Sequence, residues 1–188
     1  NENSLRGYQR VMGFLNILAP IAGILALLFA VVLVKRVTSV DPGNAKMQEI
    51  MKAIHEGAMA FLKRQYRTLL IFVVVLALII VVAGFLTEGS ESLQPATAIP
   101  FVIGAICSVL AGNIGMRIAT KANARTANAA ATSGLNKALG VAFSGGAVMG
   151  MSVVGLGLLG LGIVCIIFQG QDAIINAFSL GASSVALF

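Results

Sequence analysis

Three glycines in the last quarter of the sequence have the spacing of a phosphate-binding motif. Gly155, Gly157 and Gly160 spell G-x-G-x-x-G, which in dinucleotide-binding proteins forms the turn between a strand and a helix. Here they lie in an uncharged run over residues 138–171. A nucleotide-binding loop in such a run would leave backbone polar groups unsatisfied in a bilayer. We therefore interpret these glycines as points of helix contact rather than of phosphate binding.

His55 and Glu56 begin a second pattern with catalytic potential. The zinc motif H-E-x-x-H needs a second histidine at position 59, which is Met59. Glu56 lies four residues after Lys52, a spacing at which a helix brings opposite charges together. The stretch therefore indicates an ordinary helical histidine and a carboxylate held in an ion pair or a helix-facing hydrogen bond, and it predicts neither a metal site nor a catalytic residue.

The elements that position these residues are suited to a membrane. Hydrophobic residues make up 58% of the chain, charged residues make up 11%, and the mean hydropathy is +0.95. Soluble domains contain about 45–50% apolar and about 25% charged residues. The composition excludes a soluble globular domain and predicts an all-α membrane protein, a transmembrane helix bundle with four complete spans and the start of a fifth.

Long uncharged runs define the predicted spans, because a helix needs roughly 20 apolar residues to cross a bilayer. An amphipathic pattern, with apolar residues three and four apart, predicts a cytoplasmic helical extension of the second span from about residue 46. We expect residues 1–188 to form a single transmembrane domain fragment. Its predicted spans cover residues 11–34, 69–86, 98–118, 138–168 and 173–188.

Most basic residues fall where alternating spans would place them on one side of the membrane. The positive-inside rule makes that side cytoplasmic and puts the N-terminus outside, although Arg6 and Arg10 oppose it. The net charge of +6 therefore indicates topology rather than contact with nucleic acid. Topology also explains why the bases Lys63, Arg64 and Arg67 lie at the edge of a predicted span. Binding of anionic headgroups or of a phosphorylated substrate is the alternative explanation. The bases on the predicted cytoplasmic side are Lys35, Arg36, Lys46, Lys52, Lys63, Arg64, Arg67, Arg117, Lys121, Arg125 and Lys137.

Small residues line two faces of the predicted fourth span. Small residues let helices approach closely in lipid, so two smooth faces predict a helix between two neighbours. At about 100° per residue, one face carries four glycines and the opposite face carries two more beside Ser144. The first set is Gly146, Gly150, Gly157 and Gly160, and the second is Gly155 and Gly162.

Three longer stretches identify a family. They are EGAMAFLKRQYRTL at 56–69, GNIGMRIATKANARTANAA at 112–130 and SGLNKALGVAFSGGAVMGMSVVGLGLLG at 133–160. Together they resemble the membrane-integral, ion-pumping inorganic pyrophosphatases, and FSLGASSVALF at 178–188 is similar to the start of that family's fifth helix. The resemblance implies two rings totalling roughly sixteen helices, a homodimer, and hydrolysis of magnesium pyrophosphate that drives H⁺ or Na⁺ out of the cytoplasm.

The resemblance also assigns roles within the chain. It implies that Leu180 is the apolar residue of a gate in the ion path, and that Ser183 and Ser184 line the funnel next to it. The family's catalytic Lys and paired-Asp motifs follow after the position equivalent to Phe188. The resemblance therefore implies no catalytic, substrate-binding or metal-binding residue in this segment, and a segment that is inactive alone. Mg²⁺ is the implied cofactor of the whole enzyme, and K⁺ is a candidate.

We interpret the chain as the N-terminal portion of such an enzyme in a prokaryotic cell membrane. Two other classes stay open from the residues alone. A fragment of a secondary transporter would also pack glycine-rich helices around a site between repeats. A structural membrane subunit would have to complete its fifth helix within the last predicted span, which is shorter than the bilayer.

Overall fold

The chain is helical except for short turns and connections in the part that the structure describes. The computed structural model describes the backbone of residues 2–86, 94–168 and 171–187, and the side chains of these residues except 2–16 and 172. No strand occurs among them, which confirms the predicted all-α class. Short 3₁₀ turns occupy Pro95–Thr97 and Val185–Leu187. The helices are α1 Glu2–Thr38, α2 Ala45–Leu86, α3 Ala98–Ser133, α4 Leu135–Ile167 and α5 Asp172–Ser184.

Four of these helices are long and apolar enough to cross a membrane, as predicted. The spanning segments found by length and composition are Ile17–Thr38, Ala45–Leu86, Pro95–Ser133 and Leu135–Ile167. α2 continues without a break from the amphipathic segment into the apolar one. α3 runs well past the predicted end of the third span at residue 118. Its last turns are rich in alanine, the strongest helix former, and contain no glycine or proline.

Two glycines with positive φ lie in the turns between α1 and α2 and between α3 and α4. Gly43 has φ +88° between α1 and α2, and its amide donates to Asp41 Oδ1 at 2.9 Å. Asn44 Oδ1 accepts from the Met47 amide at 2.9 Å, which caps the start of α2. Gly134, at φ +85°, is the only residue between α3 and α4. Glycine suits both positions because it has no Cβ to oppose this conformation.

The residues group into two compact units, to which each of the four long helices contributes. The first, which we call the basic unit, comprises residues 26–70 and 109–154. Its core has one cluster from α1, α3 and α4 and a second around Ala129 and Ala138. The buried members of the first cluster are Leu33, Val37, Ile118, Ala122 and Val148.

The second unit comprises the described residues within 1–25, 71–108 and 155–188. Its core is built where α2, α3 and α5 meet. Phe101 is fully buried there beside Ile80, Ala98 and Ala177. Burying a phenylalanine side chain contributes about 1.5–3 kcal/mol in aqueous transfer terms. This cluster holds the beginning of α3 against α5, the helix that carries the predicted gate residue.

Candidate functional site

The G-x-G-x-x-G glycines lie inside a helix. Gly155, Gly157 and Gly160 belong to α4, which is continuous over Leu135–Ile167. A phosphate-binding fingerprint needs its glycines at the turn between a strand and the N-terminus of a helix. The described residues provide no strand, and α4 begins twenty residues before Gly155. These glycines therefore do not form a nucleotide loop.

Three of the predicted packing glycines make close contacts within the second unit. A Cβ on Gly160 would lie 2.8 Å from the Phe178 ring of α5. One on Gly162 would lie 2.5 Å from Cδ of Pro20 in α1. The backbone of Gly155 is approached by α1 in turn, since a Cβ on Gly23 would lie 2.8 Å from the Gly155 carbonyl oxygen. At these positions the absence of a side chain sets how near the helices lie.

The other three predicted glycines face open space in the described chain. A Cβ added to Gly146, Gly150 or Gly157 would meet no atom within 4 Å, apart from its own helix backbone and chain neighbours. Gly146 lines a cleft of about 390 Å³ in the basic unit together with Thr120 and Asn123. The packing role of these three glycines stays a prediction. In the basic unit the closest glycine contacts of α4 involve residues that the pattern did not single out, Gly145 against Ala122 of α3 and Met149 against Gly115.

The predicted gate residue and the two predicted funnel residues lie on α5, which packs on α3 through one face. Ile174, Ala177 and Phe178 are buried on that face. Leu180 is 53% exposed, and Ser183 is also exposed. Both side chains therefore point away from the packed face. Their roles in the ion path stay predictions.

Ser184, the other predicted funnel residue, differs from Leu180 and Ser183 because it is buried. Its side-chain hydroxyl donates to the Leu180 carbonyl oxygen at 2.7 Å. This is the bond that a helical serine makes to the preceding turn. The Ser184 hydroxyl proton is thus donated within α5, whereas Ser183, three residues after Leu180, is exposed.

A very close helix crossing supports α5. A Cβ on Gly104 of α3 would meet the Phe178 carbonyl oxygen, and one on Gly181 of α5 would meet the Phe101 carbonyl oxygen. Each glycine therefore lies directly against the backbone of the other helix. The sequence pattern missed this pair because it is not part of a glycine-rich run. Each helix contains a glycine that permits close packing, but the sequence does not indicate which two helices pack together.

The carboxylates of the basic unit are dispersed. Asp41 accepts from the Gly43 amide, Glu49 pairs with Lys46 at 3.0 Å, and Glu56 approaches Lys52 at 4.0 Å. The last contact confirms the ion pair expected from the four-residue spacing. Within the described ranges, no three His, Cys, Asp or Glu residues come together as metal ligands. A magnesium site needs several oxygen ligands around one point, so these donors do not fit one.

His55 serves as a link between helices. Its Nδ1 lies 2.8 Å from the Thr120 hydroxyl of α3. That hydroxyl is also within hydrogen-bond distance of the Met116 and Arg117 carbonyl oxygens, at 3.0 and 3.1 Å. A hydroxyl has one proton to donate, so we assign the Nδ1–H of His55 as the donor to Thr120. The histidine thereby joins α2 to α3.

Comparisons with known proteins agree on one family. Residues 24–188 match the family described as "Inorganic H+ pyrophosphatase". The chain is 50% identical over 169 residues to a protein of Clostridium tetani provisionally named a K(+)-stimulated pyrophosphate-energized sodium pump, covering 89% of this chain and 24% of that protein. It is 44% identical over 170 residues to a K(+)-insensitive pyrophosphate-energized proton pump of Methanosarcina mazei, covering 90% and 24%.

A third relative extends the same result. The chain is 44% identical over 181 residues to a K(+)-insensitive pyrophosphate-energized proton pump of Caldanaerobacter subterraneus, covering 88% of this chain and 25% of that protein. The chain thus spans about a quarter of the length of the curated relatives that it matches. These relatives include a sodium pump and proton pumps at similar identity.

Proposed function

Because the chain belongs to the inorganic H⁺ pyrophosphatase family, we propose that it is the N-terminal portion of a membrane pyrophosphatase. The whole enzyme would couple hydrolysis of pyrophosphate to transport of H⁺ or Na⁺ out of the cytoplasm. The observation that carries this proposal is the family match over residues 24–188, in a chain with four helices able to span a membrane. The relatives' names supply the substrate and the two candidate ions.

The charges support a cytoplasmic location for the charged residues of the basic unit. Eleven of the thirteen bases and three of the seven acids fall in residues 26–70 and 109–154. The sequence of the second unit contains two bases and four acids. Excess Lys and Arg close to membrane-spanning helices favour the cytoplasmic side. We therefore propose a multi-pass protein of a prokaryotic cell membrane with its N-terminus outside and one membrane domain that includes residues 1–188.

We propose that α5 contributes to the ion path. Leu180 would supply an apolar constriction, which blocks ions when the narrow passage dewets. Ser183 would place a hydroxyl in the adjoining funnel, and Ser184 would adjoin it from the buried side of α5. The exposure of Leu180 and Ser183, which lie outside the buried face of α5, supports this placement.

The chemistry of hydrolysis would be supplied outside this segment. Mg²⁺ neutralises phosphate charge and orients the attacking water in such reactions. The carboxylates described here do not fit a magnesium site, so no step of hydrolysis is assigned to them. Mg²⁺, K⁺ dependence and a homodimer belong to the proposal for the whole enzyme. Residues 1–188 alone are expected to be inactive.

Expression from the native reading frame tests the proposal. Membrane vesicles containing the complete product should release phosphate from pyrophosphate when Mg²⁺ is present, and residues 1–188 alone should not. Inverted vesicles should also accumulate H⁺ or Na⁺ when pyrophosphate is added outside, since their cytoplasmic side faces out. A complete product that assembles in the membrane but neither releases phosphate nor moves either ion would refute the proposal.

A further inference from the structure

Three bases form an exposed cluster on α2 at the edge of its apolar segment. Lys63, Arg64 and Arg67 are all exposed, and the uncharged run of α2 begins directly after them. We call these three residues the α2 basic cluster. On the same helix, Leu62 and Leu69 are buried. At about 100° per residue the two leucines lie roughly 155° from the centre of the cluster, so the cluster points away from the packed side of α2.

No carboxylate in the described part of the basic unit neutralises the positive charge of the cluster. Its three acids, Asp41, Glu49 and Glu56, contact the Gly43 amide, Lys46 and Lys52. Glu56 is the nearest in sequence to the cluster, and it lies about 10 Å before Lys63 along the helix axis at 1.5 Å per residue. In the part of the chain that the structure describes, none of the three clustered bases forms an ion pair.

The neighbouring helix adds no negative charge at this level. The Tyr66 hydroxyl donates to the Val109 carbonyl oxygen of α3 at 3.3 Å, and His55 contacts Thr120. These two bonds place the cluster beside the segment of α3 between residues 109 and 120. α3 contains no acidic residue. The positive charge of the cluster is therefore left for a partner beyond the helices of the basic unit.

We propose that the α2 basic cluster binds the phosphate headgroup of anionic phospholipids in the adjoining leaflet. Arginine guanidinium groups suit phosphate because they donate several hydrogen bonds in a fixed fork. Exposed apolar side chains flank the cluster on α2, with Phe61 58% and Leu70 64% exposed. A lipid suits the bases and the apolar run after them, since its phosphate meets the bases and its acyl chains extend along Leu70 and the apolar segment that follows. A free phosphate or pyrophosphate would contact the bases alone.

This inference concerns lipid recognition and does not depend on the proposed hydrolytic activity. Its test is a titration of the full-length protein in detergent with phosphatidylglycerol or phosphatidylcholine of the same acyl chains, with bound lipid measured by native mass spectrometry. The native protein should bind phosphatidylglycerol more tightly. Each base near an anionic lipid surface accounts for about fivefold in affinity, so K63Q/R64Q/R67Q should lose up to about 100-fold of this preference.

Two matched variants separate the effect of the cluster from the effect of overall charge and from the effect of side-chain type. K46Q/K52Q/K137Q removes the same charge elsewhere in the basic unit, and it should retain the preference. R64K/R67K keeps the charge but not the guanidinium forks, and its preference should lie between those of the native protein and of K63Q/R64Q/R67Q. If circular dichroism and gel filtration show that the triple cluster variant does not fold, the single variants R64Q and R67Q are tested instead. Each should lose about fivefold of the preference for phosphatidylglycerol.

Three results would overturn the inference. The first is a native protein without preference for phosphatidylglycerol, as expected if an acidic protein segment covers the cluster. The second is an equal loss in the cluster variant and in K46Q/K52Q/K137Q. The third is displacement of phosphatidylglycerol from the native protein by inorganic phosphate or pyrophosphate at similar concentration, which would make the cluster a site for soluble anions.

Discussion

The crossing of α3 and α5 makes a quantitative prediction about Gly104. A Cβ at this position would meet the Phe178 carbonyl oxygen and would lie 3.0 Å from the Ala182 backbone nitrogen. Both contacts are with backbone, which cannot rotate away as a flexible side chain can. Gly104→Ala therefore requires the two helices to separate, which would loosen the packing around the buried Phe101 ring.

The expected cost follows from overpacking and from helix propensity. Inserting a methyl group into a well-packed site costs about 1–3 kcal/mol. Alanine is also a better helix former than glycine, by up to about 1 kcal/mol in water, which opposes that cost. Gly112→Ala is the matched control because Gly112 is in the same helix and an added Cβ there meets nothing within 4 Å. The difference between the two variants isolates the contact, and it should be about 1–3 kcal/mol.

The assay is reversible unfolding of the full-length protein in mixed micelles, followed by circular dichroism. Gly104→Ala should lower the unfolding free energy relative to Gly112→Ala. Gly181→Ala should do the same from the other helix, because its Cβ would meet the Phe101 carbonyl oxygen. The double variant should cost less than the two single costs added together, since one separation of the helices relieves both clashes. Equal stability of Gly104→Ala and Gly112→Ala would refute the close approach.

Three further changes test other features of the chain. Thr120→Val removes the hydroxyl that accepts from His55 and should lower the unfolding free energy by about 1–3 kcal/mol in the same assay. Thr132→Val is its control, because the Thr132 hydroxyl is exposed and bonds only to Asn128 and Ser133 nearby in the chain, and it should change the unfolding free energy by less than about 0.5 kcal/mol. Gly43→Ala should cost about 1–2 kcal/mol because φ is +88°, whereas Gly57→Ala, where an added Cβ meets nothing within 4 Å, should be neutral or stabilising. Leu180→Ser should raise passive ion leak through vesicles of the complete enzyme without abolishing phosphate release, and an unchanged leak would contradict the gate.

The sequence predicted the helices better than their contacts. Long uncharged runs and one amphipathic pattern were sufficient for four spans and for the extension of α2, because both depend on residues close together in the chain. The end of the third span was placed at residue 118, where charged residues begin, although α3 continues to Ser133. Hydropathy follows the membrane boundary, whereas the helix ends at the first residue that favours another conformation, Gly134.

Resemblance to a family predicted the gate residue and the two funnel residues, and local pattern could not. Nothing in the spacing of Leu180, Ser183 and Ser184 distinguishes a gate from an ordinary helix surface. The burial of Ser184 and the exposure of the other two depend on which face of α5 packs against α3. That choice is made by Gly104 and Phe101, about eighty residues earlier in the chain. Which face of α5 is exposed therefore depends on which helices pack together, and a single sequence does not contain that information.

The glycines of α4 show the same limit within one helix. Gly157 and Gly160 were predicted on one smooth face, but only Gly160 has a close neighbour among the described residues. Periodicity fixes the direction of each residue around the helix axis, and it says nothing about how far along the axis a partner extends. The Phe178 ring and the Cys107 sulfur reach Gly160 but not Gly157, which lies about 4.5 Å away along the axis at 1.5 Å per residue. A stripe of small residues therefore permits close packing along its whole length, while the side chains of the partner decide which glycine is used.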